Sequence, residues 1–171
     1  MTKRNVFYSF HYDNDVFRVQ QIRNMGIIDG NEPVNPNNWE EIKRRGENSI
    51  KQWIDTEIAK CSCVVVLIGE ETFMRPWVRY EIQQAWKQGK GLLGIYIHNL
   101  KDPRTGVCNK GLNPFSTVTV YDKKGNLVNL QKIVRCFEPQ PNQAYFDIYV
   151  NLASLVEDAI VYRDHSLGYW L

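Results

Sequence analysis

The chain has 171 residues, 43% of them apolar and 23% charged, with a formal net charge of +2. That length suits one ordinary domain with enough apolar side chains to close a core without disulfides or metals, and the composition excludes an intrinsically disordered chain. The densest basic cluster, Lys43-Arg44-Arg45, sits beside Glu40, Glu41 and Glu47, so no field tracks phosphates or an anionic membrane, and neither nucleic acid nor membrane is expected as a partner.

Val6 to Phe10 is β-branched and aromatic, which predicts a buried first strand. It is too short for a signal-peptide core or a membrane span, as are the later apolar runs, so the expected compartment is the cytoplasm. Asp13, Asn14 and Asp15 offer capping chemistry to a helix carrying Val16, Phe17, Val19 and Ile22, with Gly26 at its end. Ile27-Ile28 predicts a short second strand. Asp29 to Asn38 is a turn-rich, polar loop long enough to be functional or mobile.

A helix is expected from about Trp39 to Ala59, interrupted by Gly46, with Ile50, Trp53, Ile54 and Ile58 as its buried stripe. Cys63 to Ile68 is continuously apolar, the mark of a strand covered on both faces. Pro76 suits the first position of the next helix, whose inner face is Val78, Ile82, Ala85 and Trp86. Gly89 and Gly91 end it, and Leu92 to Ile97 forms another buried strand. This alternation predicts right-handed crossovers and a parallel sheet between two helical layers. At least four strands, including Val6–Phe10, Val64–Ile68 and Leu92–Ile97, are expected in it. In the tail, Thr117–Tyr121 and Leu127–Leu130 predict a hairpin around Lys123-Lys124-Gly125-Asn126. A last helix, from Ala144 to Tyr162, carries Phe146, Tyr149, Val150, Leu152 and Leu155.

Cys61, Cys63, Cys108 and Cys136 fit neither a disulfide framework nor a zinc site. They read as free thiols, with Cys61 and Cys63 expected on one face of their strand, and no metal is expected. The first strand runs into Phe10-His11-Tyr12-Asp13 without a glycine, and the central strand ends Gly69-Glu70-Glu71, where two carboxylates repel phosphate. Those segments exclude a dinucleotide-binding dehydrogenase and a P-loop enzyme. The absence of an aspartate ending the Val64–Ile68 strand excludes a phospho-acceptor receiver.

Trp77 and Glu81 stand four apart on a helix that leaves the carboxyl edge of the sheet, where open parallel sheets place ligands. They are expected to project near each other at the mouth of a crevice. The ordinary alternative is a surface glutamate beside a core tryptophan.

Val6 to Phe10, Ile50 to Ile68 and Trp77 to Ile82 resemble, in order, the first-strand box, second helix, central strand and tryptophan-to-glutamate helix of TIR domains. More narrowly, the chain is similar to the TIR-like proteins of bacterial antiphage Thoeris systems, the ThsB type. Phe10-His11-Tyr12, Trp39-Glu40, Val66 to Gly69, Thr72-Phe73, Gly94 to Ile97 and Asn113 to Phe115 carry that likeness, from about residue 4 to 120.

The resemblance implies a three-layer, flavodoxin-like or TIR-like parallel sheet with helices on both faces. It extends through one domain, 1–171, with a core to about 120 and a hairpin-plus-helix extension from about 121. It also implies cleavage of NAD+, a substrate and not a bound cofactor, through Glu81. Breaking the ribose–nicotinamide bond expels a neutral leaving group, so one carboxylate opposing the positive charge on the ribose does much of the work. Ser9, Phe10, His11, Trp77 and Trp39 are the implied substrate-binding residues. Phe10 would stack on a ring, or pack in the core. His11 would reach phosphate, or act as a cap or surface residue. The 29–38 loop corresponds to the loop that gates the pocket and mediates assembly in TIR domains, so a homo-oligomer is compatible with the likeness. The implied product is a cyclic or otherwise modified ADP-ribose acting on a downstream effector. The competing expectations are a non-catalytic TIR-like adaptor and a flavodoxin-like nucleotide sensor.

Overall fold

The computed structural model describes residues 3–30 and 41–165. In chain order, β1 (Asn5–Ser9) leads into α1 (Tyr12–Asn24) and β2 (Asp29–Gly30), followed by α2 (Glu47–Ala59), β3 (Cys63–Ile68), α3 (Pro76–Lys87) and β4 (Gly91–Tyr96). The hairpin β5 (Thr119–Tyr121) and β6 (Leu127–Asn129), the short β7 (Cys136–Phe137) and the long α4 (Ala144–His165) complete it. One sheet has the order β2-β1-β3-β4-β7 with every neighbouring pair parallel. β5 and β6 pair antiparallel in a separate sheet. No helix among the described residues is long and apolar enough to cross a membrane.

β3 is central, and its six residues are all buried because both faces are covered. Val64, Val66 and Ile68 face Ile50, Ile54 and Ile58 of α2 and Val78, Ile82, Ala85 and Trp86 of α3. Cys63, Val65 and Leu67 face Val19 and Ile22 of α1 and Ile148, Leu152, Leu155 and Val156 of α4. The period of two along the strand thus serves two cores at once. Each large aliphatic side chain so enclosed contributes about 1.5–3 kcal/mol of transfer free energy. Gly94, inside β4, allows the layers to meet closely: a Cβ there would lie 2.6 Å from the Cys136 sulfur and 2.9 Å from the Phe115 ring.

Several expectations shift. β1 stops at Ser9, leaving Phe10 just beyond it. The second strand falls on Asp29–Gly30, two residues later than expected, because Ile27 and Ile28 pack against the α1-side core. α1 starts at Tyr12 with His11 at its N-cap and no capping side-chain bond, so Asp13, Asn14 and Asp15 lie inside the helix. Its buried face is Asp15, Arg18, Val19 and Ile22, whereas Phe17 is exposed beneath the guanidinium of Arg104, 4.5 Å from the ring centre. Cys61 and Cys63 lie on opposite faces, since Cys61 precedes the strand and escapes its alternation. On α4, Phe146, Tyr149 and Val150 are exposed, and Ala144, Ile148 and Val156 join Leu152 and Leu155 inside. The sheet takes the aliphatic stripe, and the aromatic stripe is left outward. β7 was not foreseen; two residues are too few to show a period.

Other expectations stand as read. Gly46, at φ 93°, separates helical residues 41–44 from α2. Pro76 opens α3. The expected loop from Asp29 to Asn38 keeps only its first two residues, as β2, within the described part; the rest, and Trp39, lie outside it.

Candidate active site

The chain leaves β1 into α1 on one face of the sheet and leaves β3 into α3 on the other. With strand order 2-1-3-4 this makes the β1/β3 boundary the topological switch point, where the two crossovers diverge and where open α/β sheets accommodate ligands at the carboxyl edge. Ser9 ends β1 at that boundary, fully buried and paired with Val66 of β3. Glu81 lies in the second turn of α3. The turn into α3 is built locally: the Gly69 amide donates to Thr72 Oγ1 at 2.8 Å, and that hydroxyl donates to the Leu67 carbonyl at 3.4 Å.

The Ser9 hydroxyl donates a hydrogen bond to Glu81 Oε2. Among the described residues no lysine, arginine or histidine forms an ion pair with Glu81. Burial therefore dominates and pushes the Glu81 carboxyl up to about 8, against a smaller downward pull from Ser9. The residue as a whole is half-buried, and the surrounding protein disfavours charge on its carboxyl. Burial thus favours the protonated form, and an approaching positive charge favours ionisation.

The other implied contacts lie on the segments that flank this pair, Phe10 and His11 after Ser9 and Trp77 in the first turn of α3. Phe10 is half-buried against the α1-side core, with its ring 6.2 Å from that of Tyr12. His11 is 8% exposed, so it is not the surface histidine of the ordinary reading. Its Nδ1 is buried without a hydrogen-bond partner, 3.8 Å from Glu71 Oε2. Glu71 is itself held by the Asn14 amide at 2.8 Å and by Arg75 at 3.4 Å. Trp77 leans toward α2: it meets Tyr80 edge to face at 5.8 Å and lines a cleft of ≈ 510 Å³ with Lys51, Arg75 and Arg79. Trp77 and Glu81 thus leave α3 toward different neighbours, and it is Ser9 that Glu81 meets. Trp39 lies outside the described residues.

Sequence reasoning missed the buried pair behind this edge. Arg18 Nη1 donates to Asp15 Oδ1 at 2.8 Å, and the same guanidinium reaches the Leu100 carbonyl at 2.9 Å and the Gly106 carbonyl at 2.7 Å. It ties α1 to the loop after β4. Burial pushes the Asp15 carboxyl up while Arg18 pulls it down. Asp15 packs onto Gly69, where a Cβ would stand 2.7 Å from its carboxyl carbon. The i,i+3 spacing was the only sequence signal, and surface helices carry the same spacing.

A doubly wound α/β domain with a buried carboxyl at its switch point is the class that this geometry defines. Within it, the chain belongs to the family described as Thoeris protein ThsB, TIR-like domain, which it matches over residues 7–102. It is 38% identical over 136 residues to the Bacillus cereus (strain MSX-D12) protein named "Putative cyclic ADP-D-ribose synthase ThsB1", an alignment covering 76% of this chain and 70% of that protein.

Proposed function

We propose that this chain cleaves NAD+ at the bond between ribose and nicotinamide and turns the remaining ADP-ribose into a cyclic signal in antiphage defence, with Glu81 as its catalytic residue. The observation that carries the reading is the enclosed Glu81 carboxyl at the β1/β3 switch point, held by Ser9 and with no cation paired to it among the described residues. The family membership and the name borne by the Bacillus cereus relative support it.

The chemistry follows from charge. The substrate's nicotinamide is a pyridinium, and its approach favours the ionised form of Glu81, so the resting proton is released as substrate binds. When the C1′–N bond breaks, its electron pair leaves with neutral nicotinamide and positive charge spreads over the ribose. The Glu81 carboxylate opposes that charge in a site shielded from water, where such an interaction is strong. A nucleophilic atom of the same ADP-ribose then bonds to C1′ and passes its proton to the Glu81 carboxylate, which closes the ring and returns the site to its resting form. Holding that internal nucleophile near C1′ while excluding water favours the ring over hydrolysis. Phe10, His11 and Trp77, all near this edge, would bind and orient the dinucleotide.

Incubating the purified protein with NAD+ and following the products by mass spectrometry tests the reading. Nicotinamide should appear with a product of the mass of ADP-ribose less one water, and Glu81→Gln should lower the rate by about a hundredfold or more. Nicotinamide with a matching amount of linear ADP-ribose alone would mark a plain hydrolase. Equal turnover by wild type and variant would remove Glu81 from catalysis.

A further inference from the structure

We propose that Ser9 is the positioning residue for Glu81: its hydroxyl, buried at the end of β1, fixes the carboxyl across the β1–α3 gap and supplies the hydrogen bond that favours the ionised form. Three observations meet here. Ser9 is fully buried, so its hydroxyl has no water to turn to. Its donation to Glu81 Oε2 joins two elements 72 residues apart in sequence. Among the described residues, burial and Ser9 are the two influences on the charge of Glu81, and no charged neighbour contributes.

Among the described residues, the groups on the elements packed against α3 are engaged elsewhere, lie away from Glu81 or carry no charge. On α2, Asp55 accepts from the Tyr80 hydroxyl at 3.0 Å and Lys51 pairs with Glu47 at 3.1 Å. Thr72–Met74 and Pro114–Thr117, which also pack on α3, carry no titratable side chain. On β3 and β1, Cys63 and Tyr8 belong to the opposite core. On β4, Tyr96 lies under the ammonium of Lys110, 4.5 Å from the ring centre. On α3 itself, Arg79 lines the Trp77 cleft and Lys87 lies in the last turn. Among the described residues a single neutral donor therefore tunes this carboxyl, and tuning by a hydroxyl adds no positive charge that would repel a cationic ring. The catalytic consequence rests on the NAD+-cleaving reading; the geometric role does not.

The test reads Glu81 directly. Protein carrying ¹³C-labelled glutamate is titrated by NMR, with Glu81→Gln assigning the resonance, for wild type, Ser9→Ala and Ser9→Cys. Alanine removes the donor and cysteine weakens it, so the Glu81 midpoint should rise in the order serine, cysteine, alanine. The full step is about one to two pH units, as expected for a lost hydrogen bond to a charged group. If the alanine variant does not fold by circular dichroism, the near-isosteric cysteine variant carries the comparison. The ascending limb of kcat/KM against pH should move upward by the same amount, with the plateau at high pH kept. A midpoint that stays fixed or falls in the variants overturns the proposal. A higher KM with an unmoved limb overturns it in favour of direct contact between Ser9 and substrate. If wild type releases no nicotinamide while the midpoints still shift, the NAD+ reading fails and the Ser9 assignment stands.

Discussion

Glu81→Gln should make the folded protein more stable, and increasingly so as pH rises. The glutamine amide keeps a partner for the Ser9 hydroxyl and removes a group that burial holds protonated up to about 8, against 4.5 for the free side chain. The folded state binds this proton more tightly than the unfolded chain. Wild-type stability is therefore complete below about pH 4.5 and falls as pH climbs, until it levels off above about 8. Each unit of difference is worth about 1.4 kcal/mol, and the half-buried residue keeps some screening, so the wild type should lose about 2–4 kcal/mol relative to the variant between pH 5 and pH 8. Urea unfolding of both proteins at half-unit intervals, with slopes compared to confirm the same transition, measures it directly. A difference that stays flat across that range would show an ordinarily ionised Glu81 and refute the account of an enclosed neutral carboxyl.

Arg18→Met should destabilise by about 3–5 kcal/mol, since it strands the Asp15 carboxyl inside the protein and frees the loop after β4; removing both partners in Asp15→Asn/Arg18→Met should cost less, which a double-mutant cycle in denaturant reports. Gly69→Ala forces a methyl onto the Asp15 carboxyl and should cost about 1–3 kcal/mol in the same assay. Trp86→Ala, which empties a 2%-exposed core position beneath the Arg163 guanidinium, should cost about 3–5 kcal/mol and lower Tm accordingly.

The sheet was legible because its strands are apolar enough to need cover on two sides and its helices carry one clear stripe each. Cys63–Ile68 and the Val78, Ile82, Ala85, Trp86 face are cases where period and burial coincide. α4 was misread on one side because its surface is as apolar as its core: Phe146 and Tyr149 look like buried residues, and only packing against the sheet selects Ile148 and Leu152. β7 is too short for any period to register. At the site, the position of Glu81 at the carboxyl edge was legible from its place on a helix leaving the central strand, and that of Ser9 from its place at the end of the first strand. Their mutual hydrogen bond was not, since nothing local in either segment encodes a contact spanning 72 residues. The leaning of Trp77 toward Tyr80 was equally hidden, because a spacing of four fixes a stripe on a helix and not the neighbours that a side chain finds.

The sheet's two outer strands, Asp29–Gly30 and Cys136–Phe137, are two residues each, beside neighbours of five and six. Among the described residues, a rim so brief presents scarcely any backbone for a foreign strand to zip onto, and one side of it begins with an aspartate. The long, sticky strands that nucleate fibrils are confined to the interior, where each already has a partner on both sides. Crowded together at high expression, copies of this protein should resist cross-strand polymerisation through the outer strands of this sheet.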